Sequence, residues 1–269
     1  MPRLAPWLGM LLLLGLCCVS SPQAAEPERL TEVSRRVMPR LSQEVEAAGL
    51  RVGAPIFLRI FKLPGVLELW LEHQGRFRLF RSYPICAASG YLGPKLREGD
   101  WQSPEGLYSV GPSQMNPTSA YHLSFDLGFP NEYDQAHLRS GSALMVHGNC
   151  ASVGCYAMTD SRMEEIYLLA QAALNGGQDR FAVHIFPFSL SEDNLRFYGV
   201  SPWASFWRTL KPAHDHFIAT GSVPSVTVTD AQYRVAAQAG TALPARSDIA
   251  TSESRRAAHE STTADQSAL

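Results

Sequence analysis

Between residues 52 and 146 the apolar residues come in short runs, several of them alternating with polar ones and each closed by glycine or proline. Side chains that alternate at a period of two belong on a half-buried strand, because a helix would scatter them around its axis. Ile56-Phe57-Leu58-Arg59-Ile60-Phe61 and Val66-Leu67-Glu68-Leu69-Trp70-Leu71 flank a turn at Pro64-Gly65, and Phe77-Arg78-Leu79-Phe80-Arg81-Ser82-Tyr83 alternates after Gln74-Gly75. Further strands are expected at 106–110, 121–125, 143–146 and 181–186. Many short strands at this spacing predict a mainly β catalytic domain, a sandwich or barrel, over 51–190.

Helices frame it. Leu30, Val33, Val37, Leu41, Val45 and Ala48 recur three and four apart, which predicts an amphipathic N-terminal helix within 26–50 that packs on the main domain. Gly49 should close it, and Pro39 should kink or split it. A second helix is expected after Asp160, with Glu164 and Glu165 near its start and Gly176-Gly177 at its end. A helical extension with Trp203, Phe206, Trp207 and Leu210 on one side is expected over 191–235, helical to about 218 and closed by a small hairpin at 226–228 and 233–235. Residues 236–269 carry almost no large apolar groups and read as a disordered tail.

At the other end, Arg3, the apolar run 8–19 and the small-residue stretch Ser20-Ser21-Pro22-Gln23-Ala24-Ala25 read as a secretory signal peptide over 1–25. The run is shorter than the ~20 residues a membrane span needs, and no later segment is long enough, so the mature protein is expected to be periplasmic with no stable membrane span. A formal charge of −2 gives no reason to expect nucleic acid as a partner. Beyond the leader only Cys86, Cys150 and Cys155 remain. In an oxidising compartment an odd number leaves at least one sulfur unpaired within the chain. Either Cys86 and Cys150 form a disulfide that leaves Cys155 free, or both are buried structural thiols.

The stretch Met145-Val146-His147-Gly148-Asn149-Cys150-Ala151-Ser152-Val153-Gly154-Cys155-Tyr156-Ala157-Met158 carries the chemistry. A strand delivers His147, a glycine-containing loop returns the chain, and Cys155 stands just before the helix near 160. A neighbouring imidazole lowers a thiol's pKa and makes it a nucleophile. Cys155 is therefore the expected nucleophile and His147 the general base and acid, with the amides of Gly154 and Cys155 as oxyanion donors.

His-Gly, then Ser-x-Gly-Cys, then Tyr156-Ala157-Met158 resembles the active-site signature of the YkuD-type L,D-transpeptidases, and within them the YafK-like branch. Tyr83-Pro84-Ile85-Cys86, Gly93-Pro94-Lys95, Ser103-Pro104-Glu105-Gly106-Leu107-Tyr108, Leu127-Gly128-Phe129-Pro130-Asn131 and Phe206-Trp207-Arg208-Thr209-Leu210-Lys211-Pro212 extend the similarity over roughly 30–235. Most of the family carries histidine where this chain has Val153, and a longer loop between the first histidine and the cysteine. Ser152 is accordingly the expected orienting group.

The resemblance implies a peptidoglycan stem peptide containing meso-diaminopimelate as substrate, with no cofactor and no metal. Cys155 would form a thioester with its L-centre carbonyl. Water would then release a lysine-linked lipoprotein from the wall. In the alternative, an amine acceptor would give a 3–3 cross-link or attach a lipoprotein.

Other readings stand beside these. His147, Cys150, Cys155 and Cys86 offer four zinc-type ligands at a spacing unlike common zinc motifs. A non-catalytic wall-binding module would not need the thiol. A serine hydrolase is poorly supported, since Cys150 stands two positions before Ser152 where a nucleophile elbow needs glycine. Tyr121 and His122 are candidates for the cleft lining. In the charged loop Arg97, Glu98, Asp100 and Glu105, normally solvated, Arg97 is a candidate grip on the diaminopimelate. His184 reads as structural.

Overall fold

The computed structural model describes residues 28–236; the leader expected over 1–25 and the tail from 237 onward lie outside the described residues. In chain order the elements are α1 (Glu28–Ala47), β1 (Ile56–Phe61), β2 (Val66–His73), β3 (Arg76–Pro84), β4 (Ala87–Ala88), β5 (Gly106–Val110), β6 (Met115–Asn116) and β7 (Ser124–Asp126). They continue as α2 (Glu132–Ala136), β8 (Met145–His147), β9 (Tyr156–Ala157), α3 (Asp160–Asn175), β10 (Phe181–Phe186), α4 (Glu192–Phe197), α5 (Ala204–Thr220), β11 (Ser225–Thr229) and β12 (Gln232–Ala236). The molecule is mainly β, as expected. One sheet runs β3-β2-β1-β10-β5, a second runs β4-β9-β8-β7-β6, and β11-β12 form a separate hairpin.

The first sheet is covered on both faces, which is why β1 reads as a nearly unbroken apolar run. One face, with Leu58, Ile60, Leu67, Leu69, Val183 and Ile185, shares a core with Phe125 and Val146 of the second sheet and with Ile166 and Leu169 of α3. Its other face carries Phe57, Phe61 and Phe186. Phe217 of α5 packs against Phe57 at 4.8 Å between ring centroids, and Trp207 and Leu210 join Phe61 and Phe186 in a second core.

α1 lays Leu30, Val33, Val37, Leu41 and Val45 into the main core, a gross burial of roughly 10 kcal/mol at about 2 kcal/mol per side chain. Arg36–Glu164 and Arg40–Glu165, each at 2.6 Å, hold it to α3. Gly49 takes the left-handed conformation (φ 69°), and Leu50 N–H bonds to the Val45 carbonyl at 3.0 Å.

Three expectations need correcting. α1 runs unbroken through Pro39. Both Pro39 and Arg35, four residues earlier, are exposed, so the carbonyl that loses its donor can turn to water. The strand expected at 121–125 begins at Ser124, because Tyr121 lies in a turn and His122 takes φ 71°. The helix expected over 191–218 is two helices, α4 and α5, separated at Tyr198–Trp203 around Gly199 and Pro202. Among the described residues no helix is long and apolar enough to cross a membrane.

Candidate active site

His147 ends β8, where it pairs with Ser124 on one side and Ala157 of β9 on the other. β8 and β9 are parallel, and Cys155 stands immediately before β9. Side chains alternate along a strand and keep the same direction across a parallel pair. Cys155, two residues before Ala157, therefore faces the same side as His147, one strand over. The short loop thus brings the two groups to one face of the second sheet.

The loop itself is pinned from several directions. Gly148 N–H bonds to the Tyr121 and Leu123 carbonyls at 3.0 and 3.2 Å. A Cβ at Gly148 would sit 2.5 Å from Asp160 Oδ1 and 3.0 Å from the Tyr121 carbonyl oxygen, so only glycine fits. Asp160 Oδ1 in turn accepts from Asn149 N–H at 2.7 Å. Asn149 and Cys150 both hold positive φ, 64° and 42°. Cys150 is joined to Cys86 by a disulfide, which resolves the alternative left open by the sequence and leaves Cys155 as the free thiol. The bond also takes two sulfurs out of the zinc-ligand set. Cys150 N–H to Met158 O at 3.1 Å, Met158 N–H to His147 O at 2.7 Å and Cys86 N–H to Ala157 O at 2.9 Å complete the frame.

His147 is buried, and its Nδ1 lies 2.6 Å from the Gly148 carbonyl oxygen. A carbonyl only accepts, so Nδ1 carries the proton and Nε2 keeps a lone pair. Tyr121 leans over the imidazole with ring centroids 4.7 Å apart. Burial lowers the His147 pKa below its ordinary value, opposed in part by the Gly148 carbonyl.

The Cys155 sulfur accepts from Met145 N–H at 3.4 Å and approaches the Ala143 carbonyl oxygen at 3.6 Å. Burial raises its pKa, with Asp126 adding to the rise and Met145 N–H and Lys95 opposing it. This corrects the expectation that the imidazole depresses the thiol. Both shifts, the thiol upward and the imidazole downward, favour the neutral forms of the two groups.

Three serines brace Cys155, two of which were not expected from the sequence. Ser152 Oγ donates to the Cys155 carbonyl at 2.7 Å and Ser103 Oγ donates to the same oxygen at 3.0 Å. Ser89 Oγ accepts the Gly154 N–H at 2.5 Å and lies 3.4 Å from Ser152 Oγ. Ser152 thus orients the backbone of the cysteine rather than the imidazole. The Gly154 amide, expected as an oxyanion donor, is already committed to Ser89; Gly154 (φ 117°) instead serves the turn. Ser103 opens the Ser-Pro-Glu-Gly stretch quoted above, a signal that could have pointed to it; Ser89 carries none.

The remaining candidates separate. His122 Nε2 lies 2.9 Å from Glu164 Oε1, which also binds Arg36, so His122 ties a loop to the helices rather than lining the thiol site. Arg97 is exposed, and its backbone closes a turn around Asp100. Asp100 binds Lys95 at 2.6 Å. Glu105 is fully buried, bonded to Gly93 N–H at 2.7 Å, Trp207 Nε1–H at 2.8 Å and Lys62 Nζ at 3.1 Å, contrary to its expected place in a solvated loop. His184 is buried in β10 against Phe57, as a structural histidine would be.

Comparison with known proteins matches residues 67–182 to the YkuD family model, the L,D-transpeptidase catalytic domain. The Escherichia coli K12 protein YafK, which carries an L,D-transpeptidase designation, is 42% identical over 184 residues, 68% of this chain and 75% of that protein. Its counterpart in Escherichia coli O157:H7 gives the same figures. Among solved structures, the helical cell shape determining protein Pgp2 from Campylobacter jejuni is 18% identical with a TM-score of 0.41, over 65% of each chain.

Proposed function

The chain belongs to the YkuD family of L,D-transpeptidase catalytic domains, and from that premise we propose that it is an exported cysteine enzyme of peptidoglycan that hydrolyses the amide joining a wall-linked lipoprotein lysine to meso-diaminopimelate. Its substrate is the stem peptide on which the family acts, its place of work the periplasm, and its nucleophile Cys155. The observation that carries the reading is the placement of a free thiol and a buried, Nδ1-protonated imidazole on one face of two adjacent parallel strands.

The steps follow from the two neutral groups. As Cys155 Sγ attacks the L-centre carbonyl carbon, His147 Nε2 takes the thiol proton. Met145 N–H, 3.4 Å from the sulfur, stabilises the negative charge that the sulfur gains as its proton leaves. The tetrahedral intermediate collapses, the carbon–nitrogen bond breaks, and the imidazolium returns its proton to the departing lysine amine. Water, deprotonated by the same imidazole, then opens the thioester and restores the thiol. An amine in place of water would make a cross-link or attach a lipoprotein through the same acyl-enzyme. Val153 in the family's usual histidine position and the shortened loop support the YafK-like, hydrolytic outcome.

Incubating the mature protein with peptidoglycan carrying covalently attached lipoprotein, and analysing products by mass spectrometry, tests this. Release of protein with its terminal lysine restored is expected. Appearance of diaminopimelate–diaminopimelate links without such release would replace hydrolysis by cross-linking, and activity surviving in Cys155→Ala would remove the thiol mechanism.

A further inference from the structure

Large apolar side chains are not exposed at random. Of the eleven exposed ones among the described residues, six (Tyr91, Leu96, Trp101, Tyr121, Leu138 and Val153) ride on loops that surround Cys155 and His147. Tyr91 is 88% exposed, Trp101 68%, Leu138 92% and Val153 72%. Exposed apolar side chains gathered on neighbouring loops, beside charged groups such as Arg97 and Glu98, are the usual mark of an interaction site.

The exposure is built in rather than incidental. Trp101 and Leu138 hold φ of 53° and 55°, a left-handed backbone that costs a bulky residue on the order of 1–3 kcal/mol. Both neighbours of Trp101 are fixed. Asp100 Oδ1 accepts from Lys95 Nζ at 2.6 Å and from Gln102 N–H at 3.1 Å. The Gln102 amide bonds to Tyr91 N–H and Tyr91 O at 2.9 and 2.6 Å and to Gly93 O at 2.8 Å. The loops also lock to one another. Ser140 N–H bonds to Leu96 O at 3.0 Å, and Ser142 Oγ to Glu98 Oε2 at 3.1 Å. Ser103, two residues beyond Trp101, donates to the Cys155 carbonyl.

We propose that this rim docks the polypeptide half of the substrate, the protein whose lysine is joined to diaminopimelate, against the mouth of the thiol site. The inference rests on the amidase reading above and names the feature that would select a protein leaving group over a single amino acid. Leu96, Leu138 and Val153 offer nothing to sugar hydroxyls, and a short charged stem peptide would leave them in water. A polypeptide attached at the scissile amide has to cross these loops, and buried Trp and Tyr contacts are the ones that carry interface energy.

The test uses muramidase-solubilised wall fragments bearing their covalently attached protein, and the same fragments trimmed by protease to the terminal lysine. In the mature protein, Trp101→Asn and Leu138→Asn keep residues that tolerate positive φ. The double variant should lose about tenfold in kcat/KM on the protein-bearing fragment, the loss of one interface contact, and stay within about twofold of wild type on the trimmed one. Equal losses on both fragments, or none on either, overturn the proposal. If wild type cleaves neither fragment, the amidase reading fails by itself. Retention of Cys155→Ala on the two fragments, with and without the rim substitutions, then decides the docking claim, and equal retention in all four cases sinks it. Wild-type pelleting with anionic phospholipid vesicles that is lost in the double variant would assign the rim to a lipid surface instead.

Discussion

The backbone carbonyl of Cys155 is held as firmly as its sulfur is left free. Two hydroxyls, Ser103 and Ser152, converge on that oxygen, and Ser89 holds the Gly154 N–H just before it. Neither Ser103 nor Ser152 touches the thiol, so both act through the direction in which the Cα–Cβ bond points. Ser103 Oγ also accepts the Ser89 N–H at 3.1 Å, so removing it deletes two neutral hydrogen bonds; the one to Cys155 is worth about 0.5–1.5 kcal/mol, up to roughly tenfold in rate when it appears in the barrier. Ser103→Ala should therefore lower kcat up to about tenfold with KM nearly unchanged, and Ser103→Thr, which keeps the hydroxyl, should recover most of it. Equal kinetics for Ala and Thr would show the hydroxyl to be mere packing. The common placement of His147 and Cys155 was legible because they bracket one short loop with glycines. Ser89 was not, because its partners lie 63 and 65 residues away in sequence and nothing local distinguishes it from any loop serine. The fate of the Gly154 amide was hidden for the same reason.

Elements were legible in proportion to their length. β1, β2, β3 and β10, each six residues or longer, and the helices α1 and α3 all announced themselves by period, because several turns or alternations repeat the same burial. β4, β6 and β9 have two residues each, too few for any period, and with the three-residue β7 and β8 they form the sheet that holds the site. What stabilises so short a set of strands is cross-linking from outside. The Cys86–Cys150 bond joins the chain just before β4 to the loop between β8 and β9, across a separation of 64 residues. Restricting the unfolded chain over a loop of that length is worth about 4 kcal/mol on the chain-entropy model. Cys86→Ser with Cys150→Ser should cost about that much in urea unfolding. It should also lower kcat, since Asn149 and Cys150 lose what holds their left-handed backbone. Unchanged stability in the double variant would mean that the hydrogen-bonded frame from Gly148 to Met158 suffices alone.

At the scale of the whole molecule, the first sheet works as a partition. One face meets the half that carries the candidate site; the other is covered by α5 and the terminal hairpin, which lie beyond the residues matched by the family model. Trp207 crosses that boundary to bond Glu105, two residues from Ser103, so the extension and the loop behind Cys155 share a buried carboxylate. Under α5 the partition also encloses Arg59, whose guanidinium lies 4.8 Å from the Phe61 ring centroid and 5.1 Å from that of Phe217, with Glu68 3.1 Å from its Nε. His184 sits in the same layer with its Nδ1 unpartnered. Burial first, then the positive charge of Arg59, depress its pKa to about 3; His214, also depressed, adds no negative charge to offset this. Below about pH 6.5 the unfolded chain binds a proton at this residue and the folded chain does not, so stability present above that pH is lost as pH falls toward 3. Each unit in that window removes about 1.4 kcal/mol through His184 alone. Urea unfolding of wild type and His184→Leu between pH 6 and pH 4 should show the variant's stability falling less steeply by about that amount per unit. Parallel slopes would mean that His184 takes up its proton inside the fold, with water reaching it from the cavity between β10 and the terminal hairpin.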